Sequence, residues 1–237
     1  MTTISTEAGV EVRGVTSVDD ELFVLLKRNY SQVAVYNIND YKLLRHLHLP
    51  GLKEHNLNDM TSCIRYKHLY LSNETNNSVH RFDLSSGGVC EWSVSRSPRG
   101  LSVTPSCNLL VTCRKRVMRY ELVELSADSG QCVREIELQL DMRDPYHGVQ
   151  LTTGQFVICH GDGDNNTHRV CFVDDEGKVT CSYGGQCGSD VGQLNCPCQL
   201  AVDVNWQFIF VADSNNHRVV LLNPNLQFSR EFKDQIS

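Results

Sequence analysis

One pattern recurs five times along the chain, and this recurrence limits the fold more than any other feature. In its last copy a small turn leads into Leu200-Ala-Val, the apolar run Phe208–Val211 follows, and Asp213–Asn216 makes a polar turn. Then His217-Arg218 opens a second apolar run, Val219–Leu222, and a last strand follows at Leu226–Phe232, where Leu226, Phe228 and Phe232 share one face at period two. Short apolar runs bounded by Asn, Asp and Ser clusters are the sequence form of an antiparallel meander.

Earlier copies keep the order. They are Gly148–Thr152, Phe156–Cys159 and Asn166–Asp174; Gly100–Thr104, Leu109–Cys113 and Val117–Tyr120; Met60–Cys63, His68–Ser72 and Asn77–Phe82; and Gly14–Val18, Leu22–Leu26 and Gln32–Tyr36. Val24, Tyr70, Val111, Val157 and Val211 are read as matching positions, spaced by roughly 40 to 55 residues, the period of four-stranded propeller blades. The expected fold is an all-β propeller with five recognisable blades, at about 12–51, 57–95, 97–140, 143–184 and 193–233. Residues 1–11 form an extra strand or a tail.

The last copy resembles an NHL repeat. The matching residues are Pro197, Ala201-Val-Asp203, Val211-Ala-Asp213 and Asn216-His217-Arg218-Val219. The fourth copy is similar, with Pro145, Gly148-Val149 and His168-Arg169-Val170. The third retains Pro98 and Gly100-Leu101, with Arg114-Lys115-Arg116 in place of Asn-His-Arg. The resemblance implies a propeller of usually six blades, so five fit either a partial chain of a longer protein or a closed five-bladed ring. It also implies kinship with the C-terminal substrate- or RNA-binding module of TRIM-NHL ubiquitin ligases. No RING or B-box cysteine ladder accompanies it, so ligase activity is not expected of these residues.

The sequence has no run of the eighteen or so apolar residues that a membrane helix needs. The start, Met1-Thr-Thr-Ile-Ser-Thr-Glu, lacks a basic and an apolar signal region, which favours a cytoplasmic protein with no membrane partner. Eleven cysteines at scattered spacing then read as free thiols. Cys63, Cys159 and Cys171 sit in strand runs as small hydrophobes. Cys187 with Cys196-Pro-Cys198 departs from the C-x2-C spacing of structural zinc, and Gly161-Asp-Gly-Asp-Asn-Asn166 lacks the ligand series of a calcium loop. No metal, cofactor or small-molecule substrate is expected.

Because His168-Arg169 and His217-Arg218 recur at one place in the repeat, they are read as structural together with Asp213 and Asn216. A recognition surface is expected where the loops between second and third strands meet the links between blades. Lys27, Arg28, Tyr30, Arg96, Arg99, Arg114, Lys115, Arg116, Arg143, Tyr146 and His147 fall there, on a chain of net charge −6. Cations and tyrosines on one face suit an acidic or phosphorylated protein segment. Single-stranded RNA is the alternative, with Arg and Lys on phosphate and Tyr stacking on bases. A lactonase- or lyase-like enzyme is the third reading. Its metal nest would need acids or histidines on the first strands, which instead carry mostly Thr, Ser, Gln and apolar residues, so a non-enzymatic binding scaffold is expected.

Overall fold

The computed structural model describes residues 9–49, 57–94, 96–116, 119–161, 167–203 and 205–233. Among these, twenty strands form five four-stranded antiparallel sheets, each ordered as the chain runs. This is the expected all-β propeller architecture with five blades. Blade one is β1 (Glu11–Val18), β2 (Glu21–Lys27), β3 (Ser31–Asn37) and β4 (Leu43–Leu47). Blade two is β5 (Leu57–Cys63), β6 (His68–Asn73), β7 (Ser78–Asp83) and β8 (Val89–Ser93). Blade three is β9 (Ser97–Val103), β10 (Leu109–Arg116), β11 (Arg119–Leu125) and β12 (Cys132–Glu137). Blade four is β13 (Pro145–Gln150), β14 (Phe156–His160), β15 (Arg169–Val173) and β16 (Val179–Gly184). Blade five is β17 (Pro197–Val202), β18 (Ile209–Asp213), β19 (Arg218–Leu222) and β20 (Phe228–Lys233).

The turn after each third strand sets the frame of the repeat. Asn37, Asp83, Asp174 and Asn223 each accept, through side-chain oxygen, the backbone N–H two residues on, at 2.8, 2.7, 3.1 and 2.9 Å. A short polar side chain that satisfies a nearby amide fixes such a turn without help from the rest of the fold. In blade three Ser126 holds the place, its N–H donating to the Gln131 carbonyl. Counting back from these residues along the ladders aligns the blades. Val24, Val111 and Val211 then coincide as expected, whereas Leu71 and Ile158 take the places expected for Tyr70 and Val157. A slip of one residue changes the face that a strand residue occupies, so this correction decides which side chains meet.

With the register in place, sheet packing follows one rule. Phe23, Leu25, Val33 and Val35 of blade one pack with Leu57, Met60, Leu69, Leu71 and Phe82 of blade two. Leu110, Leu122 and Ile136 of blade three pack with Phe156, Ile158, Cys171 and Val173 of blade four. Val157, Cys159, Val170 and Phe172 of blade four pack with Leu200, Ile209, Val211, Val220 and Leu222 of blade five. In each pair the earlier blade uses the alternate positions that match Phe210, Ala212, Val219 and Leu221, and the later blade uses those that match Ile209, Val211, Val220 and Leu222. Both faces of a strand are therefore apolar, and burying one such side chain contributes about 1.5–3 kcal/mol. The chain separates into two compact units, Met1–Leu101 and Ser102–Ser237.

A bulge recurs near the start of the first strand. The ladders slip at Val12/Gly14, Leu57/Asp59, Pro145/His147 and Pro197/Gln199. Proline has no N–H to donate, so Pro145 and Pro197 are tolerated as the first residue of a strand beside a bulge. The expected one-sided face of Leu226, Phe228 and Phe232 does not form. Leu226 is buried in the turn at φ 57°, Phe228 begins β20, and Phe232 is 45% exposed.

Candidate recognition surface

Near the end of the second strand and the start of the third, each blade carries a side-by-side couple whose chemistry differs from blade to blade. The couples are Leu26 with Gln32, Asn73 with Ser78, Cys113 with Glu121, His160 with Arg169, and Asp213 with Arg218. In blade five the couple is an ion pair within the fold. Arg218 Nε donates to Asp213 Oδ2 at 2.7 Å, Nη1 to Glu231 at 2.6 Å and to the Ser189 carbonyl at 2.5 Å, and Nη2 to the Gln193 carbonyl at 2.8 Å. Asp213 accepts in addition the Asn195 N–H at 2.6 Å and the Asn216 side chain at 2.8 Å. Burial works against the Arg218 charge, but the bond and charge of Asp213, aided by Glu231, outweigh it and raise the pKa. One guanidinium thus ties the 184–195 link to the blade. His217 sits beside it in the left-handed region at φ 49°, exposed, and Asn77 takes the same conformation at the matching place in blade two, φ 51°.

Blade four builds the same corner from other groups. Arg169 Nε donates to His160 Nε2 at 2.7 Å, and its Nη2 donates to Asp141 at 2.6 Å. Burial, and then the Arg169 charge, lower the His160 pKa to about 4, so this imidazole is neutral at pH 7. Arg169 also holds the Asp141 carboxyl below its ordinary value. His168, fully buried, accepts the Cys196 N–H at Nδ1 over 2.8 Å and so anchors the entry to blade five.

The eleven residues expected on the surface divide by environment. Lys27, Arg28 and Tyr30 surround the β2–β3 turn; Arg28 is exposed and Tyr30 is 58% exposed. Arg96 and Arg99 are half-buried, and Arg99 pairs at 3.5 Å with Glu74, which also accepts the Asn58 amide at 2.8 Å. Arg114 is exposed at the end of β10; the side chains of Lys115 and Arg116 fall outside the described residues. Arg143 is half-buried. Tyr146, a bulged residue, turns inward against the core between blades four and five. His147 is buried in β13 and lies inside the sheet packing, away from the surface expected for it. Among the described residues, Lys27 and Arg114 have no ion-pair partner. Sequence reading missed the acids Glu74, Asp141 and Glu231, which pair with Arg99, Arg169 and Arg218, although each lies in a loop or strand that the repeat brings beside its arginine.

The cysteines are free thiols in the structure. Cys63, Cys113, Cys159 and Cys171 are buried, and Cys90, Cys132, Cys181 and Cys187 are exposed. Burial pushes the Cys171 pKa up to about 12 and that of Cys159 well above its ordinary value. Asp162–Asn166, most of the acidic loop weighed above for calcium, lies outside the described residues. Among the described residues, no three or more His, Cys, Asp or Glu gather as a metal site would need, and no helix is long and apolar enough to cross a membrane.

Comparison with solved structures shows the fold. The chain is similar to a chain of the nidogen/laminin complex, with a TM-score of 0.71 at 11% identity over 94% of this chain and 80% of that one. A protein of unknown function from Bacteroides caccae gives a TM-score of 0.68 at 13% identity, over 91% and 74%. Kuenenia stuttgartiensis hydrazine synthase gives 0.64 at 16% identity, over 94% and 79%. No family model and no curated protein matches the sequence. The likeness is one of propeller fold, and that fold is shared by a chain of a protein complex and by an enzyme.

Proposed function

We propose that this chain is a non-enzymatic recognition propeller, kin to the binding module of TRIM-NHL proteins, which engages an acidic or phosphorylated protein segment through its loop ends. The observation that carries this reading is the contrast among its cations. Arg99, Arg169 and Arg218 are committed to internal acids, whereas Lys27 and Arg114 have no such counter-ion among the described residues, and Tyr30 stands exposed beside Lys27 and Arg28. Arginine and lysine recognise phosphate and carboxylate by charge-assisted hydrogen bonds, and an exposed tyrosine adds contact area at low entropic cost. His168, Arg169 and Arg218 of the repeat, which would be obvious catalytic candidates, are held in the blade corners. Fold alone does not decide between binder and enzyme, so the reading rests on these residues.

The test is affinity capture from lysate, with and without RNase, comparing wild type with Lys27→Ala/Arg28→Ala/Tyr30→Ala and with Arg114→Ala/Lys115→Ala/Arg116→Ala. Protein partners that survive RNase and are lost from either variant support the proposal. RNA captured by wild type and lost from the variants, with binding that weakens steeply as salt rises, would replace it with single-stranded RNA recognition.

A further inference from the structure

A cleft of about 410 Å³ opens between blades one and two, at the end of blade one opposite Lys27 and Tyr30. It is bounded by the β1–β2 turn, the β5–β6 turn and the turn after β7, all within Met1–Leu101, so these two blades alone shape it. Val18 and Leu84 give it an apolar floor continuous with the core that the two blades share. Asp19, Asp20 and Glu21 stand at its rim with one cation, Lys67. Two of the three carboxylates are taken. Lys67 Nζ donates to Asp19 Oδ2 at 2.9 Å, and Arg45 holds both oxygens of Glu21. Among the described residues, Asp20, exposed in the β1–β2 turn, has no ion-pair partner.

We propose that this cleft takes a lysine side chain of a protein partner, with its methylenes on Val18 and Leu84 and its ammonium at Asp20. Three features of the cleft select this occupant. Its lining carries three acids against one cation, which attracts positive charge. Its apolar floor suits the aliphatic stem of lysine, which covers apolar surface while the charged head stays in contact with water. A bare metal ion would gain nothing from that floor. The chain also displays the chemistry itself, since Lys67 of blade two brings its own ammonium to Asp19, the neighbour of Asp20 in blade one. The volume falls in the range of about 300–1,000 Å³ typical of ligand clefts, enough for a side chain with part of its backbone. Because the cleft and the basic β2–β3 turn lie at opposite ends of blade one, this inference is independent of the recognition surface proposed above.

Methyl-resolved NMR on the intact chain tests it, with N-acetyl-lysine methylamide as the probe. Saturable shifts are expected at the methyl groups of Val18 and Leu84. Two control probes separate stem from charge: acetyl-norleucine methylamide has the stem alone, and acetyl-diaminopropionate methylamide has the charge on a short stem. Each should bind at least about three-fold more weakly than the lysine probe. Asp20→Asn should weaken the lysine probe by about two- to five-fold. Asp175→Asn/Glu176→Gln, in an exposed acidic turn of blade four, should leave it unchanged. The wild-type titration needs no variant, and the absence of a saturable shift at both methyl positions overturns the proposal. So does a control probe that binds as tightly as the lysine probe. A blade-four variant that weakens binding as much as Asp20→Asn also overturns it, because the probe would then be responding to the net charge of −6 and not to the cleft.

Discussion

Replacing Arg218 by Met is the sharpest test of how blade five is held. The guanidinium is buried, and all of its donor nitrogens are engaged, with Asp213, Glu231 and the carbonyls of Ser189 and Gln193. Met fills much of the volume but leaves Asp213, which is fully buried, with only the Asn195 N–H and the Asn216 amide. Removing one partner of a buried pair typically costs about 3–5 kcal/mol, mainly for the charge left behind. At about 2–4 °C per kcal/mol for a chain of this size, that is a fall in melting temperature of roughly 6–20 °C. The double variant Asp213→Asn/Arg218→Met removes both charges and retains an acceptor for the Asn195 N–H. It should recover at least about half of the loss, since a neutral isostere of a buried pair avoids the desolvation cost. Blade two already uses a neutral couple at these positions, Asn73 with Ser78. Urea unfolding followed by circular dichroism measures both variants. A single variant within about 1 kcal/mol of wild type, or a double variant no more stable than the single, refutes the reasoning.

Acid should weaken the fold partly through His160. Its folded pKa of about 4 lies below the ordinary value of 6.5, so between these values the unfolded chain takes up a proton that the folded chain refuses. Stability from this group is complete above pH 6.5 and falls as pH drops toward 4, by about 3 kcal/mol in total. Unfolding of wild type and His160→Gln at pH 7 and pH 4.5 isolates the contribution, and equal losses in the two proteins would contradict it. The thiols should divide by burial. Brief alkylation followed by mass spectrometry is expected to label Cys90, Cys132, Cys181 and Cys187, and to reach Cys159 and Cys171 only after unfolding; rapid labelling of Cys171 in the folded protein would count against its placement.

The blade count was readable because it depends on local chemistry. Apolar runs such as Phe208–Val211 and Leu22–Leu26 announce strands by themselves, and Asn37, Asp83, Asp174 and Asn223 close their turns with their own side chains. Register was less readable. Five residues separate Leu26 from Gln32 and eight His160 from Arg169, but four separate Asn73 from Ser78 and Asp213 from Arg218. Tyr70 and Val157 each lie one residue before the true matches, Leu71 and Ile158, which a count back from the Asx turn finds. His147 escaped for a related reason: the bulge after Pro145 shifts the ladder by one and carries the ring inside. Charge pairing was the least readable, because Glu74 meets Arg99 and Asp141 meets Arg169 only once separate strands are aligned. Arg169 and Arg218 look alike in the sequence, both following His and preceding Val. Their roles separate at the residue opposite, His160 in one blade and Asp213 in the other. In a repeat fold the signature residues therefore say how blades are fastened. Function is better sought in cations such as Lys27 and Arg114, which have no acid partner among the described residues.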